Sequence, residues 1–212
     1  MLDGGGAVTD EKLQDRASDV SVEDRMMLAY TSGTTGHPKG VIHTHKPIRN
    51  TYERAMLLGH SRNDVHMSYL PLFHAYGFSE VAMMTALTGA SQVLFDVFEP
   101  DIVLDAVESQ RGTVLHGFDS HWADLIRAQQ RHERDVTSLR VGTLPAGMES
   151  TVPTARIVQD LFCPTTSGFG MSESWAFIAS SHISDSLEQR IEASGYPMYG
   201  IEFQVRDPDS GE

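Results

Sequence analysis

From Arg25 onward, short apolar runs alternate with segments in helical period, and this alternation limits the chain to very few architectures. Met26-Met27-Leu28-Ala29-Tyr30 reads as a buried strand and Val41-Ile42 as the start of a second, followed by a helix over roughly 47–58. Strand 65–70, helix 78–87 and strand 92–95 come next, and Pro100 opens a helix in which Ile102, Val103, Ala106 and Val107 share a face. Strand 113–116 precedes a helix capped by Asp119 or Ser120, with Trp122, Leu125 and Ile126 on its inner side. Strand 139–144 leads to a helix capped by Ser150 or Thr151 and carrying Ile157, Val158 and Leu161. Runs at 164–167, 176–179 and 201–205 supply further strands. Strands separated by helical segments of about 10–15 residues mean βαβ crossovers. The expected fold class is therefore α/β, a largely parallel sheet with helices on both faces.

Composition narrows the function. The 212 residues are 40% hydrophobic and 21% charged, enough to bury a core, so disorder does not describe the whole. Sixteen Lys and Arg against 29 Asp and Glu give a net charge of −13, which repels nucleic acid and anionic membrane surfaces. An anionic ligand must then be held locally, by backbone N–H groups and one or two placed cations. Cys163 is the single cysteine, which excludes an internal disulfide or a cysteine zinc cluster and fits a reducing compartment. The most apolar stretch, 69–89, is interrupted by His74, Ser79 and Glu80, so no membrane span is expected. With no charged-then-apolar leader at the start, the expected location is the cytoplasm. Residues 1–24, rich in Asp, Gly and Ser, are expected to form a loose leader, and 25–212 one partial domain. The closing Asp207-Pro208-Asp209-Ser210-Gly211-Glu212 is a turn where another strand is expected.

One segment carries recognisable chemistry. Thr31-Ser32-Gly33-Thr34-Thr35-Gly36-His37-Pro38-Lys39-Gly40 packs three glycines, several hydroxyls and a lysine into ten residues between two expected strands. The glycines let backbone N–H groups converge, the hydroxyls add donors, and Lys39 adds a positive charge, which is equipment for cradling a polyphosphate. It is not the P-loop pattern, which requires Gly-Lys-Ser/Thr and a helix directly after.

Tyr30 to Val41, YTSGTTGHPKGV, resembles the phosphate-binding signature of the adenylate-forming enzymes, which include acyl-CoA synthetases, luciferase and peptide-synthetase adenylation domains. Three later segments agree in order. Leu70 to Phe78 (LPLFHAYGF) resembles the LPLFHxxG segment beside the acyl pocket. Ser167 to Glu173 (SGFGMSE) resembles YGxTE, with Phe169 for tyrosine and Ser172 for threonine. Ser194-Gly195-Tyr196-Pro197 through Gly200-Ile201-Glu202 resembles the G-x-P…G-x-E turn. Gly142 to Gly147 falls where the family has its adenine-side loop, and reads equally as a strand-to-helix turn.

The resemblance implies roles. Thr31, Ser32, Gly33, Thr34, Thr35, Gly36 and Lys39 would hold the phosphates of ATP, with Thr34 and Glu173 taking Mg²⁺, and Lys39, Thr34 and Glu173 forming the catalytic set. Gly168, Phe169, Gly170, Met171 and Ser172 would form the nucleotide side, Phe169 stacking on adenine and Ser172 reaching the α-phosphate. His74, Gly77 and Trp175 would border the acid. The physical chemistry agrees: a carboxylate is a hard-oxygen magnesium ligand, and glycines flanking Phe169 leave its ring clear to lie on a purine. His43 and His45 share a strand face without completing a metal set. Asp119 reads first as a helix cap, and the paired methionines as core.

The expected function is an ATP-dependent carboxylic acid–CoA ligase, with ATP, Mg²⁺ and coenzyme A as ligands. The sequence has no Thr-Gly-Asp segment and no downstream lysine of the kind the family uses, and it resembles the central third of such an enzyme, without the C-terminal lid domain. Low activity alone, and dependence on the remainder of the enzyme, are expected. Two alternatives stay open: an amino-acid adenylation domain, for which Glu80 is the nearest acid to the His74 segment, or a non-catalytic nucleotide-binding module.

Overall fold

The computed structural model describes residues 8–31 and 37–211. The chain divides into two compact units, Met1–Pro47 and Ile48–Glu212.

In the first unit, α1 (Asp10–Ser18) lies within the stretch expected to be a loose leader. Thr9 Oγ1 caps it by accepting from Lys12 N, and none of its residues is buried. β1 (Arg25–Thr31) and β2 (Lys39–Thr44) pair antiparallel with Thr31 opposite Lys39. The expectation of a buried first strand fails: Ala29 alone in β1 is buried, and Leu28, Tyr30 and the facing Ile42 are exposed. The two strands form a separate antiparallel ribbon rather than part of the parallel sheet.

The second unit is the α/β body. After α2 (Pro47–Leu57), strands β3 (Val65–Ser68), β4 (Ser91–Leu94), β5 (Val114–His116), β6 (Val141–Thr143) and β7 (Thr165–Thr166) form a five-stranded parallel sheet. Their order is β4-β3-β5-β6-β7, so the chain reverses its direction of travel between β3 and β5. The crossovers are helical. The first is α3 (Ala75–Gly77), a π turn (Phe78–Met83) and α4 (Met84–Thr88); then come α5 (Pro100–Gln110), α6 (Asp119–Arg131) and α7 (Val152–Leu161). The sheet separates two apolar cores. Met67 and Leu115 pack with Val103, Val107, Trp122, Leu125 and Val158 of α5–α7, while Val114 and Val141 pack with Ala55, Leu58 and Met84. Each fully buried Leu or Val contributes about 1.5–3 kcal/mol of transfer free energy. The expected fold class is thus what forms.

Beyond β7, the strands β8 (Gly168–Met171), β9 (Ala176–Ser180) and β10 (Tyr196–Pro197) make a small antiparallel sheet, with α8 (Leu187–Glu192) between the last two. Local expectations fail at several points. Ile102 and Ile157 are exposed; Leu104 and Ala155 face the core instead, because each helix turns its buried stripe slightly off the expected one. The cap position of α6 is Phe118 rather than Asp119 or Ser120; the Phe118 N–H donates to His121 Nδ1 at 3.2 Å, and Asp119, one residue into the helix, accepts from the first-turn N–H of Ser120 through Oδ1 at 2.8 Å. Residues 201–205 form no strand.

Candidate functional site

Each parallel strand hands the chain to a loop at the same edge of the sheet, and a cavity of about 540 Å³ opens there. His74 to Tyr76 line it after β3, Phe118 after β5, Pro145 to Met148 after β6, Gly168 to Met171 in β8, and Ser172 directly after β8. Ala176 and Phe177 of β9 and Ser194 complete it. The loops after β3 and β5 flank the point where strand order reverses, which is where open α/β sheets leave a crevice for ligands.

The β8–β9 hairpin forms one wall, and its glycines are dictated by the neighbouring strand. A Cβ on Gly170 would sit 1.6 Å from the carbonyl oxygen of Ala176, and one on Gly168 2.6 Å from that of Ala179. The hairpin closes through a short 3₁₀ turn, Ser172–Ser174, and then places Trp175 and Ala176 at φ 62° and 63°. Left-handed backbone at two successive non-glycine residues is strained by roughly 1–3 kcal/mol each. Packing holds it: Trp175 is buried, and its Nε1 donates to Thr51 Oγ1 at 3.1 Å. Next to it, Arg54 Nη1 donates to the carbonyl of Phe177 at 2.9 Å. Arg54 is buried and doubly bonded to Glu80, with Nε 3.0 and 3.1 Å from the two carboxylate oxygens, and Nη2 reaches Ser79 Oγ at 2.7 Å. A desolvated charge pair thus braces the cavity wall from α2 and the π turn.

On the opposite side His74 caps α3, its Nδ1 accepting from Tyr76 N at 3.1 Å, which puts the proton of the neutral ring on Nε2. Tyr76 Oη lies 2.5 Å from Thr143 Oγ1, and Thr143 Oγ1 lies 2.9 Å from His116 Nδ1. Burial pushes the Tyr76 hydroxyl well above its ordinary range, so it stays protonated. Behind it, His60, His66 and His116 stand together, ring centroids 4.8, 5.7 and 6.0 Å apart. Desolvation is the main reason all three are held neutral; it lowers His60 to about 3, His66 to about 4, and His116 far below its usual value. Arg140, which binds Asp64 through Nε at 2.7 Å and Nη2 at 2.6 Å, adds a further depression.

Residues 3–212 match the model of the AMP-binding enzyme family. The chain belongs to that family. Among curated proteins, a medium-chain fatty-acid–CoA ligase of Escherichia coli is 35% identical over 182 residues, covering 85% of this chain and 32% of its own. The 4-coumarate–CoA ligase 1 of Arabidopsis thaliana is 28% identical, covering 92% of this chain and 36% of its own. Among solved structures, the O-succinylbenzoate coenzyme A synthetase of Bacillus subtilis in complex with ATP and magnesium superposes with a TM-score of 0.76 at 26% identity. The match covers 91% of this chain and 39% of that one. This AMP-binding chain spans about a third of the length of the curated relatives it matches.

Of the residues expected to serve an AMP-binding enzyme, Gly168, Phe169, Gly170, Met171, Ser172 and His74 line the cavity together. Glu173 is exposed in the turn beside Ser172 and makes no ion pair among the described residues. Gly77 lies behind the lining, where a Cβ would be 2.5 Å from the Pro71 carbonyl, so its small size serves packing. Trp175, expected at the acid, instead faces Thr51 and Phe78 inside the protein, because the left-handed bend turns it away from the cavity. Thr31 ends β1 and Lys39, exposed, begins β2; Ser32, Gly33, Thr34, Thr35 and Gly36 lie outside the described residues. The loop after β6 is a strand-to-helix turn that also lines the cavity, and Gly147 takes φ 99° within it. Arg54, Tyr76, Phe118 and Thr143 were not foreseen. Tyr76 lies two residues after a recognised histidine, whereas nothing local in the sequence marks an arginine as buried. Among the described residues no group of three or more His, Cys, Asp or Glu is arranged to hold a metal ion, and no helix is long and apolar enough to cross a membrane.

Proposed function

We propose that this chain carries the nucleotide- and acid-binding part of an ATP-dependent carboxylic acid–CoA ligase, residues 25–212 being a partial adenylation domain. In the first half-reaction a carboxylate oxygen attacks the α-phosphorus of ATP, the α–β bridging P–O bond breaks, and acyl-AMP and pyrophosphate form. In the second, the thiol of coenzyme A attacks the acyl carbon, releasing AMP and a proton. The observation that carries the reading is the cavity at the reversal of strand order, lined by both the 168–172 segment and His74. Phe169, 45% exposed at the cavity wall, offers a face for adenine, and Ser172 a polar side chain for the α-phosphate. His74 Nε2–H is a donor suited to a carboxylate, and the aromatic edges of Tyr76 and Phe118 suit an apolar acid. The roles of Thr31 to Gly36 and Lys39 toward the phosphates rest on the sequence motif alone.

Magnesium fits the one described ligand: Glu173 is an accessible hard-oxygen donor, and Mg²⁺ commonly takes one or two carboxylates, with phosphates and water filling the rest. When bound it would neutralise phosphate charge. Thr34 is proposed with Glu173 on the motif alone. The non-amino acid is favoured over an amino acid because Glu80, the nearest acid in sequence, is buried against Arg54 and does not line the cavity. The buried free thiol of Cys163 accords with a reducing, cytoplasmic setting.

Calorimetric titration with AMP tests the reading. Phe169→Ala should weaken binding about tenfold, base stacking contributing about 1–3 kcal/mol, and Phe169→Tyr should restore it. Unchanged affinity in Phe169→Ala would remove adenine from this wall. Pyrophosphate release by this chain alone should be far slower than by a complete ligase of the family; equal rates would overturn its standing as a part.

A further inference from the structure

The face of the sheet beneath the cavity is unusually polar for a buried surface. His66 and Ser68 of β3, His116 of β5, Thr143 of β6 and Thr166 of β7 are all at most 3% exposed. Several of their polar atoms lack hydrogen-bond partners among the described residues: both ring nitrogens of His66, Nε2 of His116 and of His60, and the hydroxyls of Ser68 and Thr166. Buried polar groups are ordinarily satisfied, so a cluster of orphans on one face calls for an explanation.

One path through this cluster reaches the cavity: Tyr76 Oη to Thr143 Oγ1 at 2.5 Å, then Thr143 Oγ1 to His116 Nδ1 at 2.9 Å. Thr143 has a single hydroxyl proton and two acceptor lone pairs, so giving that proton to one neighbour leaves it only able to accept from the other. If Nδ1 accepts from Thr143, Thr143 accepts from Tyr76. If the ring is an imidazolium, Nδ1 must donate; the Thr143 oxygen can then accept from His116 and Tyr76 together, but its own proton loses the acceptor that held it, and the nearby Thr143 carbonyl already accepts from Gly117 N and Trp122 Nε1. Tyr69 Oη already occupies the backbone carbonyl of His116.

We infer that His116 is a positioning residue for the cavity wall, its neutral ring carrying an unprotonated Nδ1 that accepts from and so orients the Thr143 hydroxyl that anchors Tyr76, and that protonation of the buried histidine trio removes this acceptor and loosens Tyr76. The elements packed on this face bring the groups that bias the proton. His60, Asp64 and Arg140 come from the connections flanking β3 and β6, His66 from β3, Arg54 from α2 and Glu80 from the π turn. Two of these are compensated pairs, Arg140 with Asp64 and Arg54 with Glu80, so a proton arriving on the trio meets no free carboxylate. The inference concerns the wall itself and does not depend on which ligand the cavity takes.

Fluorotyrosine labelling reads Tyr76 directly, its ¹⁹F line being assigned by loss in Tyr76→Phe. At pH 7.5, His116→Val should shift and broaden that line, whereas His116→Asn, which keeps a polar atom near the place of Nδ1 but cannot be protonated, should leave it near the wild-type position. Thr143→Val should mimic His116→Val and serves if the latter does not fold. On acidification the wild-type line should move together with the histidine resonances while near-ultraviolet circular dichroism of the tryptophans persists, and this movement should be absent in His116→Asn. An unshifted line in both valine variants, an acid response that survives in His116→Asn, or movement that only tracks the loss of tryptophan dichroism would each overturn it.

Discussion

A methyl group at Gly170 would overlap the Ala176 carbonyl, a backbone atom that cannot rotate aside. Gly170→Ala should therefore destabilise the protein by about 1–3 kcal/mol or more, read as a lower urea midpoint with an unchanged slope. Ala at Gly211, where nothing lies within 4 Å, should cost only the strain of its left-handed backbone. The sequence offered a different reason for glycine at 168 and 170, that of keeping the Phe169 ring clear. The ring does stand on the cavity wall, but what forbids a side chain is strand β9 behind it. Motif residues were legible because type and spacing identify them. Trp175 was not, since its direction is set by a left-handed bend that no local propensity favours.

Among the elements, the coupling of α2 to the π turn is the one with a measurable energy. Arg54 and Glu80 are both almost fully buried, so removing either leaves the other charge unpaired. Arg54→Met should cost about 3–5 kcal/mol, and the double variant Arg54→Met with Glu80→Leu much less than the sum of the two singles. A double-mutant cycle by urea unfolding measures this, and additive losses would mean that the pair does not act as a unit. The crossover helices and parallel strands were legible in apolar period, and Pro100 marked the start of α5. Missed elements had weak signals: α8 is only six residues and was not read from the sequence; the structure shows it opened by a capping box, with Gln189 N donating to Ser186 Oγ at 3.3 Å and Ser186 N to Gln189 Oε1 at 3.0 Å. Residues 201–205 carry the alternation of a strand but pair with no strand among the described residues, a reminder that period alone does not supply a neighbour.

For the whole molecule, the buried imidazoles fix the direction of acid sensitivity. Each is neutral when folded, with its pKa lowered to about 3 in His60 and about 4 in His66 and far down in His116, against roughly 6.5 when unfolded. Between about pH 6.5 and pH 4 the unfolded chain binds more protons, so stability falls as pH falls, by about 1.4 kcal/mol per pH unit for each histidine fully in that window. Urea unfolding at pH 7.5, 6 and 5 should show this slope, and His66→Phe should flatten it; a midpoint independent of pH would contradict the burial of the trio. None of this was visible in sequence, because His60, His66 and His116 are six and fifty residues apart and only the pairing of β3 with β5 brings them together. Finally, the loops that line the cavity all leave the sheet at one edge, whereas the apolar residues that stabilise it lie along the strands and on the helices behind. Under the proposed function, recognition and stability then draw on largely separate stretches of chain, with Tyr76 and Phe177 belonging to both the cavity lining and the core. A scaffold arranged this way can exchange one rim loop at a time for a new specificity, with Thr143 and Arg54 as the two places where such editing would reach the foundation.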